Sequence, residues 1–490
     1  MNNFVTYSRM CYFRKLSGHI SWHQRRYRYK KKWAVNRPHR TPSQLALDHF
    51  DMFYQPVFGQ KWPSIRIALL TSQKYCALVN NFAESETVLK LQQLGAVNMA
   101  DLARKRAGNI SKSSKKTKLK EKGSSLKDEM SGAQTDQFNE HSLENQNWHK
   151  NDNLANDGGS REHAENENKG KLDDEHFATN RKETERDLLS GDSDLFTFVP
   201  AETVYSEPEL LQQEEIKQST FTPNDVPIDV IPDKIVVPTN LQVFVYPKGE
   251  IKDFPTPQSD KAGLLGYYLM DAASILPVIA LNLEPGDSVL DLCAAPGGKS
   301  LTILQTLLTE QILCNDQSYS RLQRLRDILK WYVPSAVQTD LQICRRNGTN
   351  YTDPSFSKVL VDVPCSTDRH VVTADDNNLF KPGRFSERLQ LPNLQSKLLL
   401  AGIRSCKPED SIVYSTCTLS PAQNDGVIQA TMEHIWKETG VSLAVQDLSP
   451  LRLIFRDIFN FVDCRYGQLV IPSLMSNFGP MYICKIKKMN

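Results

Sequence analysis

Ser288-Val289-Leu290-Asp291-Leu292-Cys293-Ala294-Ala295-Pro296-Gly297-Gly298-Lys299-Ser300 reads as a buried strand that ends in a glycine turn and opens a helix. The apolar run is too short for a helix and is bounded by turn residues. Gly297 and Gly298 permit close approach of the backbone to a ligand at a helix amino terminus. Outward from this stretch, strands and helices alternate. Residues 300–308 are predicted as the following helix, 311–315 as the second strand and 318–329 as the second helix. Residues 358–363 and 411–415 are nearly continuous apolar runs, as strands buried on both faces are. Residues 468–472 and 481–486 read as a closing pair of strands, and 263–281 has a helical period. The alternation predicts an α/β domain over 261–490, built on a doubly wound, mostly parallel sheet.

In such sheets ligands bind outside the carboxyl ends of the strands, and the distinctive residues fall there. Asp291 and the turn Cys293 to Lys299 follow the first strand. Asp316 ends the second, eighteen residues past Gly298, a separation at which an acid commonly holds ribose hydroxyls. A glycine pair alone also fits a purely structural turn; the acid points to a nucleotide-like cofactor. Asp362 and Cys365 end a third strand in Val361-Asp362-Val363-Pro364-Cys365, and Cys417 a fourth in Tyr414-Ser415-Thr416-Cys417-Thr418. Either cysteine alone would read as a small buried hydrophobe. Parallel strands side by side would bring both thiols, 52 residues apart in sequence, to one rim. Two thiols there suit methylation of a pyrimidine carbon. C5 of cytosine is a poor nucleophile, but thiolate addition at C6 makes an enamine whose C5 attacks an activated methyl. The attacking thiol needs a depressed pKa, and the second thiol serves breakdown of the adduct. Asp362 is suited to hydrogen-bond the ring nitrogen as charge develops.

At 490 residues the chain has room for two or three domains, yet its 40% hydrophobic share is low for a wholly globular protein. The net charge of +2 averages segments of opposite sign. Ten cysteines lie scattered without a C-x-x-C pair or metal-ligand spacing, so reduced thiols are expected and no metal site. No apolar run of about 18 residues predicts a membrane span. Residues 1–40 hold eleven Lys or Arg and no acid, and read as a mitochondrial transit peptide or as a basic arm for nucleic acid. Residues 41–103 read as a helical extension, with Ser43 placed to cap a helix through Leu45, Ala46, Phe50 and Phe53, and Trp62-Pro63 to break it. Residues 104–194 read as a disordered insertion: ten Lys or Arg in 104–127, then seventeen acids against seven bases in 129–194. It is either a tolerated loop or a source of sequence-independent affinity for phosphates. Recurrent prolines make 195–260 an extended connector.

The set DLCAAPGGK (291–299), DVPCSTDRH (362–370) and VYSTCTLS (413–420) resembles the NOP/Sun-type RNA cytosine-5 methyltransferases, across residues 261–490. Residues 50–82 and Asn477-Phe478-Gly479-Pro480-Met481-Tyr482 look most like the member that acts on mitochondrial ribosomal RNA. The resemblance implies a Rossmann-like class I methyltransferase that uses S-adenosylmethionine. It implies Cys417 as the nucleophile and Cys365 as the thiol that promotes release. Cys293, Ala294, Ala295, Pro296, Gly297, Gly298, Lys299, Asp316, Arg321 and Asp362 would surround the cofactor. The family usually has Asp where the adenine amino group is contacted; here Asn347 stands there, followed by Gly348. Its side-chain oxygen can still accept. The resemblance further implies mitochondrial ribosomal RNA as substrate, the mitochondrial matrix, and a role in mitochondrial ribosome assembly. It also implies a helical-repeat partner of the mitochondrial termination-factor family. Two rival readings stay open. One is mainly an assembly scaffold that binds RNA and such a partner. The other is a DNA cytosine methyltransferase, in which Cys365 would attack.

Overall fold

A computed structural model describes residues 40–110 and 228–489, except Ser85 and Thr439. The transit reading of 1–40, most of the insertion and the first half of the connector lie outside the described residues. In chain order the strands are β1 (Cys76–Val79), β2 (Val97–Asn98), β3 (Asp229–Pro232), β4 (Val243–Val245), β5 (Tyr267–Met270), β6 (Asp287–Asp291), β7 (Thr309–Asn315), β8 (Leu341–Cys344), β9 (Phe356–Asp362), β10 (Cys406–Thr416), β11 (Leu443–Asp447), β12 (Asn460–Asp463), β13 (Gln468–Ile471) and β14 (Met481–Lys488).

The larger sheet runs β12-β13-β14-β10-β9-β6-β7-β8, with β11 on β14 and β3 on β11. β10, β9, β6, β7 and β8 are parallel, while β14 enters antiparallel between β10 and β13. This is the doubly wound, mostly parallel sheet that the alternation predicts. β6 has β7 on one side and β9 on the other, so a crevice opens at the carboxyl ends of β6 and β9. Helices cover both faces. Leu301 and Ile303 of Gly298–Gln305 share one core with Leu322 and Leu325 of Tyr319–Tyr332. Leu398, Leu399 and Ile403 of Phe385–Ser405 share the other with Val359 and Val361. Gly402 lets this last helix sit close on β9, because a Cβ there would lie 2.6 Å from Val361 Cγ2.

A second sheet, β2-β4-β1-β5, is antiparallel throughout. It departs from two expectations. Residues 41–103 are not wholly helical, since Cys76-Ala77-Leu78-Val79 is buried along its length and pairs with β4 and β5. The helical period of 263–281 is interrupted as well. Tyr267–Met270 is a strand on β1, and the helix is only Leu276–Ala280, with Pro277 in its first turn. Partners remote in sequence override the local pattern at both places.

Thr41, rather than Ser43, caps the first helix, Pro42–Phe58: its hydroxyl accepts from Gln44 N, and Gln44 Oε1 accepts from Thr41 N. The chain turns at Gly59, and Trp62-Pro63 opens the next helix, Trp62–Leu70, because a first turn tolerates proline. Residues 99–110 are helical, so the start of the stretch read as disordered belongs to the fold. Arg104 there donates to the carbonyls of Pro238 and Leu241. Among the described residues no helix is long and apolar enough to cross a membrane.

A buried ion pair ties the far edge together. Lys485 Nζ on β14 lies 2.9 Å from Asp233 Oδ2, and both side chains are buried. Gln446 and Asn282 donate to the same carboxylate. Removing one partner strands a buried charge. Asp233→Ala is therefore expected to cost about 3–5 kcal/mol in urea unfolding. Asp233→Ala combined with Lys485→Met should recover most of that loss.

Candidate active site

β9 and β10 are adjacent and parallel, with Asp362 level with Ser415. That register carries Cys365 and Cys417 to one rim, where their sulfurs lie 3.1 Å apart as free thiols. The Cys417 N–H also donates to Cys365 Sγ at 3.4 Å. Asp362 shares this rim. Its Oδ1 accepts from Ser415 Oγ at 2.7 Å, and its Oδ2 from Lys299 Nζ at 2.9 Å. Lys299 sits in the first turn of the helix after β6, so the glycine turn and both thiol strands meet at this ion pair.

Sequence reasoning missed the groups that lock the two thiol loops. Asp368 Oδ2 accepts from the Leu419 N–H and from the Tyr54 hydroxyl, each at 2.8 Å, and Oδ1 from Ser366 Oγ at 2.6 Å. Ser366 Oγ also lies 2.8 Å from Thr418 Oγ1. Tyr54 belongs to the first helix, which thereby buttresses both loops. Asp368 stands within the motif of Cys365 and was open to notice; nothing in the sequence marked Tyr54.

The turn after β6 packs too closely on its neighbours to carry side chains at its two glycines. Gly297 has φ 121°, and a Cβ there would lie 2.6 Å from Leu325 Cδ1; at Gly298 one would lie 3.3 Å from Met270 Cε. Ala294 is fixed by its N–H to the Asn315 carbonyl at 2.8 Å, Arg321 donates to the Ala295 carbonyl, and Pro296 is exposed. Cys293 is half-buried, its thiol pushed up by burial and by Asp291. Asp291 is buried; Ser300 Oγ donates to its Oδ2 at 2.6 Å, but its Oδ1 has no hydrogen-bond partner. Asp316 Oδ1 accepts from the Ser318 N–H at 2.9 Å. Its Oδ2 lies 3.4 Å from the Arg321 guanidinium, yet accepts no hydrogen bond. Two buried carboxylate oxygens without donors, beside a glycine turn, suit a ligand bearing an ammonium and ribose hydroxyls. S-Adenosylmethionine carries those groups and fits.

Asn347 is placed differently from the expectation. Its Oδ1 accepts from both the N–H (3.2 Å) and the hydroxyl (3.0 Å) of Thr349, so the oxygen meant for an adenine amino group is engaged within its own loop. Gly348 is buried, and a Cβ there would lie 2.8 Å from Leu398 Cδ2.

Residues 278–454 match the family described as 16S rRNA methyltransferase RsmB/F. The 5-cytosine rRNA methyltransferase NSUN4 of Xenopus tropicalis is 39% identical over 468 residues, covering 94% of each chain. The chain belongs to the 5-cytosine rRNA methyltransferase family. The protein of the same name in Mus musculus is 37% identical over 472 residues, covering 95% of this chain and 94% of its own. The mitochondrial tRNA (cytosine(34)-C(5))-methyltransferase of Danio rerio is 39% identical over 254 residues, 51% of this chain and 67% of its own. Like the family, this chain is an S-adenosylmethionine-dependent methyltransferase.

Against that chemistry, Cys417 departs from one expectation. Its thiol is held well above the ordinary thiol range, first by the hydrogen bond with Cys365 and then by burial; Asp362 adds to this and Lys299 opposes it. A second thiol and a carboxylate crowd the sulfur, so a new negative charge there is costly. The Cys417 thiol is therefore biased toward its protonated form.

Asp291 gives a pH signature. Burial pushes its carboxyl up from 3.8 to about 7 despite the Ser300 hydrogen bond, with Asp362 adding. The folded state thus holds the proton more tightly than the unfolded one. That stabilisation is full below the unfolded pKa and is lost as pH rises through 7. Between about pH 5 and pH 8 the protein is expected to lose roughly 2–3 kcal/mol through this group. Urea melts at the two pH values should show that loss removed in Asp291→Asn.

Proposed function

We propose that this chain methylates C5 of a cytosine in mitochondrial ribosomal RNA, in the mitochondrial matrix, through a covalent bond between Cys417 and C6. The two thiols 3.1 Å apart beside the Lys299–Asp362 pair carry the reading. A single thiol would serve simple binding or packing; a pair at strand ends answers the two halves of an addition and elimination. When bound, S-adenosylmethionine supplies an electrophilic methyl group. The protein's part begins as the Cys417 proton passes to the Asp362 carboxylate and the sulfur bonds to C6. Electron density passes toward the ring nitrogen, which takes that proton from Asp362, held in place by Ser415 and Lys299. Lys299 favours the thiolate that this step needs. After methyl transfer, water takes the C5 proton, the ring double bond reforms and Cys417 leaves as a thiolate that recovers the proton held at the ring nitrogen, with Cys365 beside the departing sulfur.

The relatives' names support the RNA class. The basic, acid-free residues 1–40 and the mitochondrial relative support the compartment. A part in mitochondrial ribosome assembly, with a helical-repeat partner of the mitochondrial termination-factor family, completes the proposal. It is tested by methyl transfer from labelled S-adenosylmethionine to mitochondrial small-subunit ribosomal RNA. A 5-methylcytosine product supports it. No transfer, even with such a partner added, overturns it in favour of a scaffold.

A further inference from the structure

Beside the thiol pair lies a cavity of about 600 Å³ whose lining includes Leu70, Gln73, Tyr75, Asp271, His370 and Cys417. One wall is the segment between Trp62–Leu70 and β1, and it is pinned from several directions. Asn477 Nδ2 donates to the Ser72 carbonyl at 2.7 Å and to Thr71 Oγ1 at 3.0 Å. The Arg369 guanidinium donates to the carbonyls of Ala68 and Thr71, and to Asn477 Oδ1 at 2.8 Å. Gln73 Nε2 donates to Asp271 Oδ2 at 2.7 Å. The Lys74 N–H donates to the Asn477 carbonyl at 3.1 Å, and Cys76 is fully buried in β1. Between Lys74 and Cys76, Tyr75 is 47% exposed, and Leu70 beside the same cavity is 42% exposed. Among the described residues, no aromatic ring stacks on Tyr75. A rigid backbone thus presents an unburied aromatic ring at the cavity that holds the attacking thiol.

We propose that Tyr75 is a stacking platform for an RNA base next to the methylated cytosine. The inference rests on the RNA-methylating reading above. To reach Cys417 the target base must leave its stack, which costs a few kcal/mol and exposes the faces of its neighbours. An aromatic ring fixed at the cavity restores a stacking surface for any base, since every base has a π-face. Because the loop is already ordered, little conformational entropy is lost on docking.

The test compares wild type, Tyr75→Ala and Tyr75→Phe as full-length chains. The substrate is a mitochondrial small-subunit ribosomal RNA transcript. Steady-state methyl transfer is measured alongside transcript affinity by filter binding. Tyr75→Ala is expected to weaken RNA affinity and raise the KM for RNA about tenfold. The KM for S-adenosylmethionine should not move, and Tyr75→Phe should restore the RNA KM. Equal RNA affinity in wild type and Tyr75→Ala overturns the inference. So does a loss shared with cofactor affinity and melting temperature, which marks a structural role. A wild type that transfers no methyl defeats the RNA-methylating reading instead, and the filter-binding arm still decides Tyr75.

Discussion

Cys417→Ala is expected to lower methyl transfer by about 10⁴–10⁶-fold, as loss of a nucleophile does elsewhere. Every later step needs the bond from sulfur to C6, because without it C5 stays unreactive. The residues proposed to hold the cofactor, Asp291, the glycine turn and Asp316, make no hydrogen bond to Cys417. Binding of labelled S-adenosylmethionine should therefore persist while product disappears. Unchanged transfer would remove Cys417 from the chemistry, and transfer lost only in Cys365→Ala would favour the DNA-type assignment.

Cys365→Ala should do the opposite. Addition and methyl transfer proceed, but the adduct is no longer cleared. A protein–RNA species stable to denaturing gels is expected to accumulate, with turnover falling to about one event per chain. The adduct should vanish when Cys417→Ala is added. The rim adds a second signature. Cys365 is the first cause of the elevated Cys417 pKa, so its removal makes that thiol more acidic. The pH profile of adduct formation should move to lower pH in Cys365→Ala, with Cys417 more fully ionised near neutrality. A profile that stays in place would mean that burial alone sets the thiol.

The sheet and its site were legible because they depend on short local signals. Leu290 to Lys299 combines an apolar run with a glycine turn, and the two cysteines follow apolar runs of strand length. Strand ends in a doubly wound sheet then place the residues without further information. Two features were hidden for one reason. Tyr267–Met270 looks helical until β1 is there to pair with it. Tyr54 looks like core, until a fold closing over 314 residues brings its hydroxyl to Asp368. Local patterns report neither contact. The suppressed acidity of Cys417 was not legible, because it depends on neighbours that only the fold brings to the sulfur. Asn347 stands where the resemblance led us to expect Asp, and only the folded loop shows Thr349 donating to its oxygen.

The sulfur-to-sulfur distance is set by neighbouring rungs of the β9–β10 ladder, where Asp362 pairs with Ser415. Ser366 and Asp368, just past Cys365, hold the two loops in that register through Thr418 and Leu419. Evolution is then free to redecorate the exposed part of the crossover between these strands, around Pro382, and an engineer could graft a binding peptide there, without disturbing the reacting atoms. A single residue inserted within either strand is another matter. It would turn the remaining side chains to the opposite face and part the thiols. The enzyme's heritable precision lies in two short strands and the Ser366–Asp368 lock beside them, and the exposed loop between is open to drift.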